Sequence, residues 1–350
     1  MANEIALLSL FFVYTLLFRW AFRTLPREEW QILAAIPTQK GPDGRWEGLN
    51  LTYYGVLTAS AVTLAVAVLI VLMGALAVPL IATASLAALT LALCVPAAKL
   101  LARLVEDRPN TFTIGGASFV GLLAAPWLIL LTNETLGEGA DGAIPMLPTL
   151  AALAIAYAFG EGTGRLACIS FGCCYGKPLS AAHPALAGLF RMRHFAFAGP
   201  TKKAAYEGGL ESAPVIPVQA VTAVISTGAG LVGLSLFLHG RMQAAFLTAL
   251  LITHAWRVLS ERLRADHRGG GDLSVYQVLA ALGSLYGLVL SVSPTDERPV
   301  RPDLLAGLEA LWNPLVILSL QAVWVAIFLY TGRSQVTAST ISLSVLKDRV

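Results

Sequence analysis

The chain has 350 residues, 56% of them hydrophobic and 13% charged, with a mean hydropathy of +0.70. That is more apolar surface than a water-surrounded domain can bury, so a bilayer has to act as much of its solvent. The net charge is only +3, and Lys and Arg are scattered between apolar runs without aromatic platforms, a composition that excludes a nucleic-acid partner.

A spanning helix needs about 20 mostly apolar residues. The sequence predicts nine, at about 4–22, 51–73, 79–104, 116–132, 145–167, 215–238, 243–264, 273–292 and 304–331. The first has Glu4 in place of a basic leader and reaches Arg19 without a small-residue cleavage site, so it reads as a retained helix. Pro79, Pro96, Pro126, Pro148 and Pro314 fall in or near spans, where neighbouring groups satisfy the freed carbonyls. The loops near 24–50 and 176–214 are long and polar, and the tail after Gly332 is expected to fray. The predicted class is all-α, a polytopic membrane protein of about nine transmembrane helices whose termini lie on opposite sides.

Basic residues divide unequally between the two sides. One side carries most of them, among them Arg23, Arg27, Lys40, Arg108, Lys177, Arg191, Lys202, Arg264 and Arg349. The other has Arg241, Arg298 and Arg301 with an acidic loop containing Glu134, Glu138 and Asp141. The positive-inside rule places the Lys177 side in the cytoplasm. A surface that handles anionic lipid would be basic whichever way it points, and this reading stays open beside the first.

The richest stretch runs from Glu161 to Pro178, EGTGRLACISFGCCYGKP. Glu161 and Arg165 are four residues apart, so they can pair on one helix face, and charge at membrane depth marks a functional site by default. Gly162, Gly164, Gly172 and Gly176 have no Cβ and would let a headgroup approach the backbone. Cys168, Cys173 and Cys174 admit three readings: small buried hydrophobes, a reactive or acceptor thiol near Arg165 or Lys177, or metal ligands with His254 completing the set. His254 itself is either a base or a hydrogen-bonded interior histidine, while His183 and His194 read as solvated or interfacial. The 176–214 loop mixes Phe190, Phe195 and Phe197 with Arg191 and Arg193, which suits an arm at the headgroup level or an ordinary tether.

Four stretches in order resemble the prolipoprotein diacylglyceryl transferase family. Tyr53-Tyr54-Gly55 resembles its tyrosine-glycine helix start, and Gly115-Gly116-Ala117-Ser118-Phe119-Val120-Gly121 its GGxSFHG stretch. Gly164-Arg165-Leu166 through Gly172 to Gly176 follows the frame of GRxxNFxNGExxG. Arg257 and Glu261, with Gln277, are similar to its FRxxxE segment and following glutamine. The resemblance spans about residues 50–293. It implies an extra N-terminal helix and polar loop over 1–50, a seven-helix transferase-like core with a basic interfacial arm over 51–293, and an added C-terminal helix and tail over 294–350.

The resemblance also implies a transferase of the bacterial cytoplasmic membrane, moving the diacylglyceryl group of phosphatidylglycerol to a cysteine thiol of a lipoprotein precursor and releasing glycerol phosphate. No metal or other cofactor is required. Negative charge developing on the leaving phosphate calls for fixed donors, to which Arg165 and Arg257 are suited, with Glu161 and His254 beside them as proton-handling candidates. Tyr54, Gly116, Ser118, Gly172, Cys173, Gly176, Lys177, Glu261 and Gln277 are the implied substrate-binding positions. The chain departs from the pattern at the histidine, which is Val120, at the signature's two asparagines and glutamate, which are Cys168, Phe171 and Cys173, and at a tyrosine, which is Thr253. Other classes compatible with these residues are an anionic-phospholipid binder without catalysis, an enzyme alkylating another lipid or small-molecule acceptor, and a lipid scramblase.

Overall fold

The computed structural model describes residues 1–27, 31–107, 113–136, 144–268, 273–292 and 301–350. Helix α1 (Ala2–Thr24) leads into an antiparallel hairpin of β1 (Ile32–Lys40) and β2 (Trp46–Thr52). Four long helices follow: α2 (Tyr53–Ala75), α3 (Leu80–Glu106), α4 (Ile114–Leu136) and α5 (Met146–Phe171). An arm carrying the short α6 (Pro184–Phe190) and α7 (Lys203–Tyr206) then joins α8 (Val218–Leu238), α9 (Met242–Glu261) and α10 (Val275–Val292). The chain closes with α11 (Leu304–Leu311), α12 (Pro314–Thr331) and β3 (Ser339–Ile341).

Among the described residues eight helices, α1 to α4, α8 to α10 and α12, are long and apolar enough to cross a bilayer, which makes this a multi-pass membrane protein. Their outward faces carry Leu8, Phe11, Trp127, Leu285 and Leu318, apolar side chains that lipid rather than water must cover. Helix α5 has 26 residues and carries Glu161 and Arg165 in its second half. It is flanked by α2, α8 and α9 and is buried along most of its length. Small residues bring its neighbours close: a Cβ on Gly162 would stand 2.2 Å from Thr227 Oγ1 of α8. Helix α1 docks on the same helix through Tyr14, whose hydroxyl lies 3.0 Å from Thr163 Oγ1 and whose ring stacks on Phe159.

Three sequence expectations are corrected. The 24–50 region is a β-hairpin instead of an irregular loop, its turn made possible by Gly44 at φ 80°. The tail is not frayed, because β3 pairs with β2 from Trp46↔Ile341 to Gly48↔Ser339 and Asn50 Nδ2 donates to Thr337 Oγ1 at 3.1 Å. The span expected over 304–331 is two helices, divided where Asn313 Oδ1 accepts from Leu315 N at 2.9 Å with Pro314 in the first turn of α12. The bundle is therefore all helical, and a three-stranded sheet is attached at one end of it.

Hairpin, arm and tail gather at that end. Ala198 N donates to Pro26 O at 3.0 Å, and Gln31 Nε2 to Thr201 O at 2.6 Å. The arm is only partly the interfacial element expected from its composition. Phe195 and Phe197 are buried and meet Phe22 of α1 in an aromatic chain, and the outward residues are Leu189, Arg191, Met192 and Arg193. Lys202 is fully buried, with Nζ donating to Ser170 O (2.7 Å) in the last turn of α5 and to Leu25 O (3.0 Å) just past α1. One ammonium thus satisfies carbonyls at two helix C-termini, where the helix dipole favours a cation. Arg108, Glu138, Asp141 and Arg298, counted above for sidedness, lie outside the described residues.

Candidate functional site

Tyr157, Glu161 and Arg165 succeed one another at four-residue intervals, so α5 presents all three on one face. Helix α9 crosses that face and contributes Arg257 and His254 from adjacent turns. Arg165 Nη2 lies 2.6 Å from Glu161 Oε1, and Arg257 Nη2 makes a short contact with the same oxygen. Arg257 Nη2 also meets the Tyr157 hydroxyl at 2.9 Å, and Ser226 Oγ of α8 donates to Glu161 Oε2 at 3.3 Å. Ser118 of α4, which lines the cavity beside Tyr157, donates its Oγ to Gly115 O at 3.0 Å.

Two guanidiniums therefore share one carboxylate oxygen, and all three side chains are buried. One positive charge is left over. An uncompensated buried charge costs several kcal/mol, and Glu261 is a second carboxylate within electrostatic reach of Arg257. Among the described residues Arg165 Nε has no hydrogen-bond partner. Beside the cluster lies a cavity of ≈ 330 Å³ between α2, α3, α4, α5 and α9. Tyr157, Glu161, Ser118 and His254 line it together with apolar side chains such as Leu69 and Phe246. Its size falls in the range of small-molecule pockets, about 300–1,000 Å³.

His254 faces this cavity with Nδ1 3.0 Å from Leu250 O, so the other ring nitrogen is the one left to act. Neither Tyr157 nor Ser226 was anticipated from sequence. Tyr157 could have been found by extending the Glu161–Arg165 spacing one turn back, whereas Ser226 carries no sequence signal.

The remaining expected positions sit elsewhere. Gly116 is packed against Leu101, with a Cβ there 2.6 Å from Leu101 Cδ1. Gly176 is packed against Ile216, whose carbonyl oxygen would be 2.3 Å from a Cβ, so the protein's own backbone fills the space allotted to a headgroup. Gly172 ends α5 in the left-handed region at φ 73°. Glu261 joins a separate ion network, with Arg264 at 3.3 Å and Arg268 at 3.2 Å, in which Arg268 also reaches Glu106 at 2.6 Å. Gln277 pins α10 to α9, donating to Val258 O at 2.8 Å. Lys177 is exposed, with its backbone N–H on Leu263 O. Tyr54 packs against Phe171 at a ring separation of 5.5 Å, near the cysteine cluster and away from the arginine pair.

Cys168, Cys173 and Cys174 converge just past the end of α5, their sulfurs all within 4.8 Å of one another. His254 is not part of this group and lines the cavity instead.

A helical bundle thus buries two arginines around one carboxylate beside an apolar cavity. The family model described as prolipoprotein diacylglyceryl transferase matches residues 45–293, and the chain belongs to that family. Membership makes it a membrane transferase of the kind that moves diacylglyceryl groups onto prolipoproteins. Comparison with curated proteins returned no match.

Proposed function

We propose that this protein transfers the diacylglyceryl group of phosphatidylglycerol to a cysteine thiol of a lipoprotein precursor, in the bacterial cytoplasmic membrane. The observation that carries this reading is the pair of buried guanidiniums on one Glu161 oxygen beside the cavity. Arg165 and Arg257 hold the donor's phosphate, Glu161 keeps the two forks aligned, and Tyr157 fixes the rotamer of Arg257. The thiol gives up its proton to solvent, its sulfur attacks the glycerol carbon, the carbon–oxygen bond to phosphate breaks, and glycerol phosphate leaves with its added negative charge on the two arginines. The apolar wall of the cavity accepts part of an acyl chain, and Ser118 and His254 lie at its polar end. Residues 51–293 form the transferring unit, and α1 and α11–α12 are additions to it.

The test is incubation of purified protein with labelled phosphatidylglycerol and a cysteine-containing precursor peptide, followed by mass spectrometry of peptide and lipid. Arg165→Ala and Arg257→Ala are each expected to lower transfer about 10²- to 10³-fold, the loss typical of removing one preorganised donor. Product formation unchanged in both variants would overturn the assignment.

A further inference from the structure

The three-cysteine group lies on a chain reversal. Gly172 and Cys174 both have positive φ, 73° and 55°, and Cys173 N turns back to Cys168 O at 3.1 Å. Gln219 Nε2 of α8 holds the turn by donating to Cys173 O at 2.8 Å. All three thiols are free, Cys168 buried and the other two half-buried. A tetrahedral zinc ion with Zn–S bonds of about 2.3 Å sets its sulfurs about 3.8 Å apart, and the three sulfurs here all lie within 4.8 Å of one another. Arg165 and Arg264, each already paired with a carboxylate, lie within electrostatic reach of Cys174. Three protein ligands with a fourth position free is the pattern of a catalytic zinc site, as opposed to a closed structural one.

We propose that Cys168, Cys173 and Cys174 bind one Zn(II) ion and that its fourth position takes the acceptor thiol, a reading that rests on the transferase function above. Coordination ionises that thiol, and its proton goes to solvent. The sulfur then forms the bond to the donor's glycerol carbon with its own electron pair. The carbon–oxygen bond breaks, the phosphate oxygen takes that pair, and zinc keeps its oxidation state. Arg165 stands between the two halves of the site, bound to Glu161 and within electrostatic reach of Cys168 and Cys174. The metal would supply the thiol activation that Val120 cannot.

The experiment is metal analysis of the full chain purified in detergent without chelator, followed by replacement with Co(II) and absorption spectroscopy. About one zinc per chain is expected, with sulfur-to-cobalt charge-transfer bands and tetrahedral ligand-field bands that shift when a cysteine peptide, but not its serine counterpart, is added. Cys168→Ser and Cys173→Ser, monodisperse on size exclusion, should lose the metal and lower transfer about 10²- to 10⁴-fold, the usual value of activating the attacking group. Cys94→Ser should keep the metal. A wild-type protein that takes up no zinc, or that contains a disulfide within the trio, overturns the site. A cobalt spectrum indifferent to the peptide, or undiminished transfer in the serine variants, overturns the metal's role while the transferase reading stands. Zinc retained by a protein that transfers nothing overturns the transferase reading and leaves the metal site in place.

Discussion

At the scale of single residues, Glu161 matters most because two cations depend on it. Removing one partner of a buried ion pair costs about 3–5 kcal/mol, since the surviving charge stays buried without compensation. Glu161→Ala is accordingly expected to lower the thermal midpoint in detergent far more than Arg165→Ala, which leaves the Arg257–Glu161 pair intact. Tyr157→Phe keeps the ring and removes one hydrogen bond to a guanidinium. Such bonds contribute about 1.5–3 kcal/mol to stability, so the midpoint should fall by a few degrees and transfer about 10-fold as Arg257 is held less firmly. Half of this site was legible in the sequence. A charged pair at helical spacing inside an apolar run announces itself, but Tyr157 looks like one more apolar residue of the same run until Arg257 arrives from another helix. The thiol trio was visible in the sequence with metal ligation as one of three readings, but the spacing of Cys168 from Cys173 and Cys174 is unlike the usual zinc spacings, and only the reversal at Gly172 brings the sulfurs together.

At the scale of the element, α5 depends on what is missing from its surface. Gly162 admits Thr227 of α8, and a side chain there meets Thr227 Oγ1 at 2.2 Å and Ala223 O at 3.0 Å. Gly162→Val is expected to destabilise by about 1–3 kcal/mol through overpacking. Gly228→Ala on α8, where a Cβ meets nothing within 4 Å, should be neutral or stabilising by up to about 1 kcal/mol. Thermal unfolding of both variants in one detergent provides the comparison. Lys202→Met strands the Ser170 and Leu25 carbonyls, and each buried acceptor left without a donor costs about 1–3 kcal/mol, a loss the same measurement detects. The long helices, which among the described residues are the eight candidate spans and α5, were legible because twenty apolar residues leave few alternatives. The break at Trp312–Asn313 was also written in the sequence, as a capping residue followed by proline, but an unbroken apolar run conceals it. The hairpin was not legible, since Ile32–Lys40 is too short and too irregular in its alternation to stand out from a polar loop.

At the scale of the molecule, the contacts of hairpin, arm and tail fix which loops share a side. Cysteines introduced at Lys177 and Arg191, both exposed, should react with a membrane-impermeant maleimide from the same face of intact cells, and one at Arg241, between α8 and α9, from the opposite face. Labelling of Lys177→Cys and Arg241→Cys from one side would break the alternation of the helices. The three-stranded sheet bears on how the chain is made. Asn50 and Ser339 touch across 289 residues, so at about 5–20 residues per second the ribosome needs roughly 15–60 s between the two. Throughout that interval β2 offers its unpaired outer edge to whatever passes, and the long helices between α2 and α12 must be made before the last strand can reach it. The sheet is thus a closing clasp: its late fastening separates a finished molecule from an inserted but unlatched one, and protease sensitivity of the hairpin would time that event.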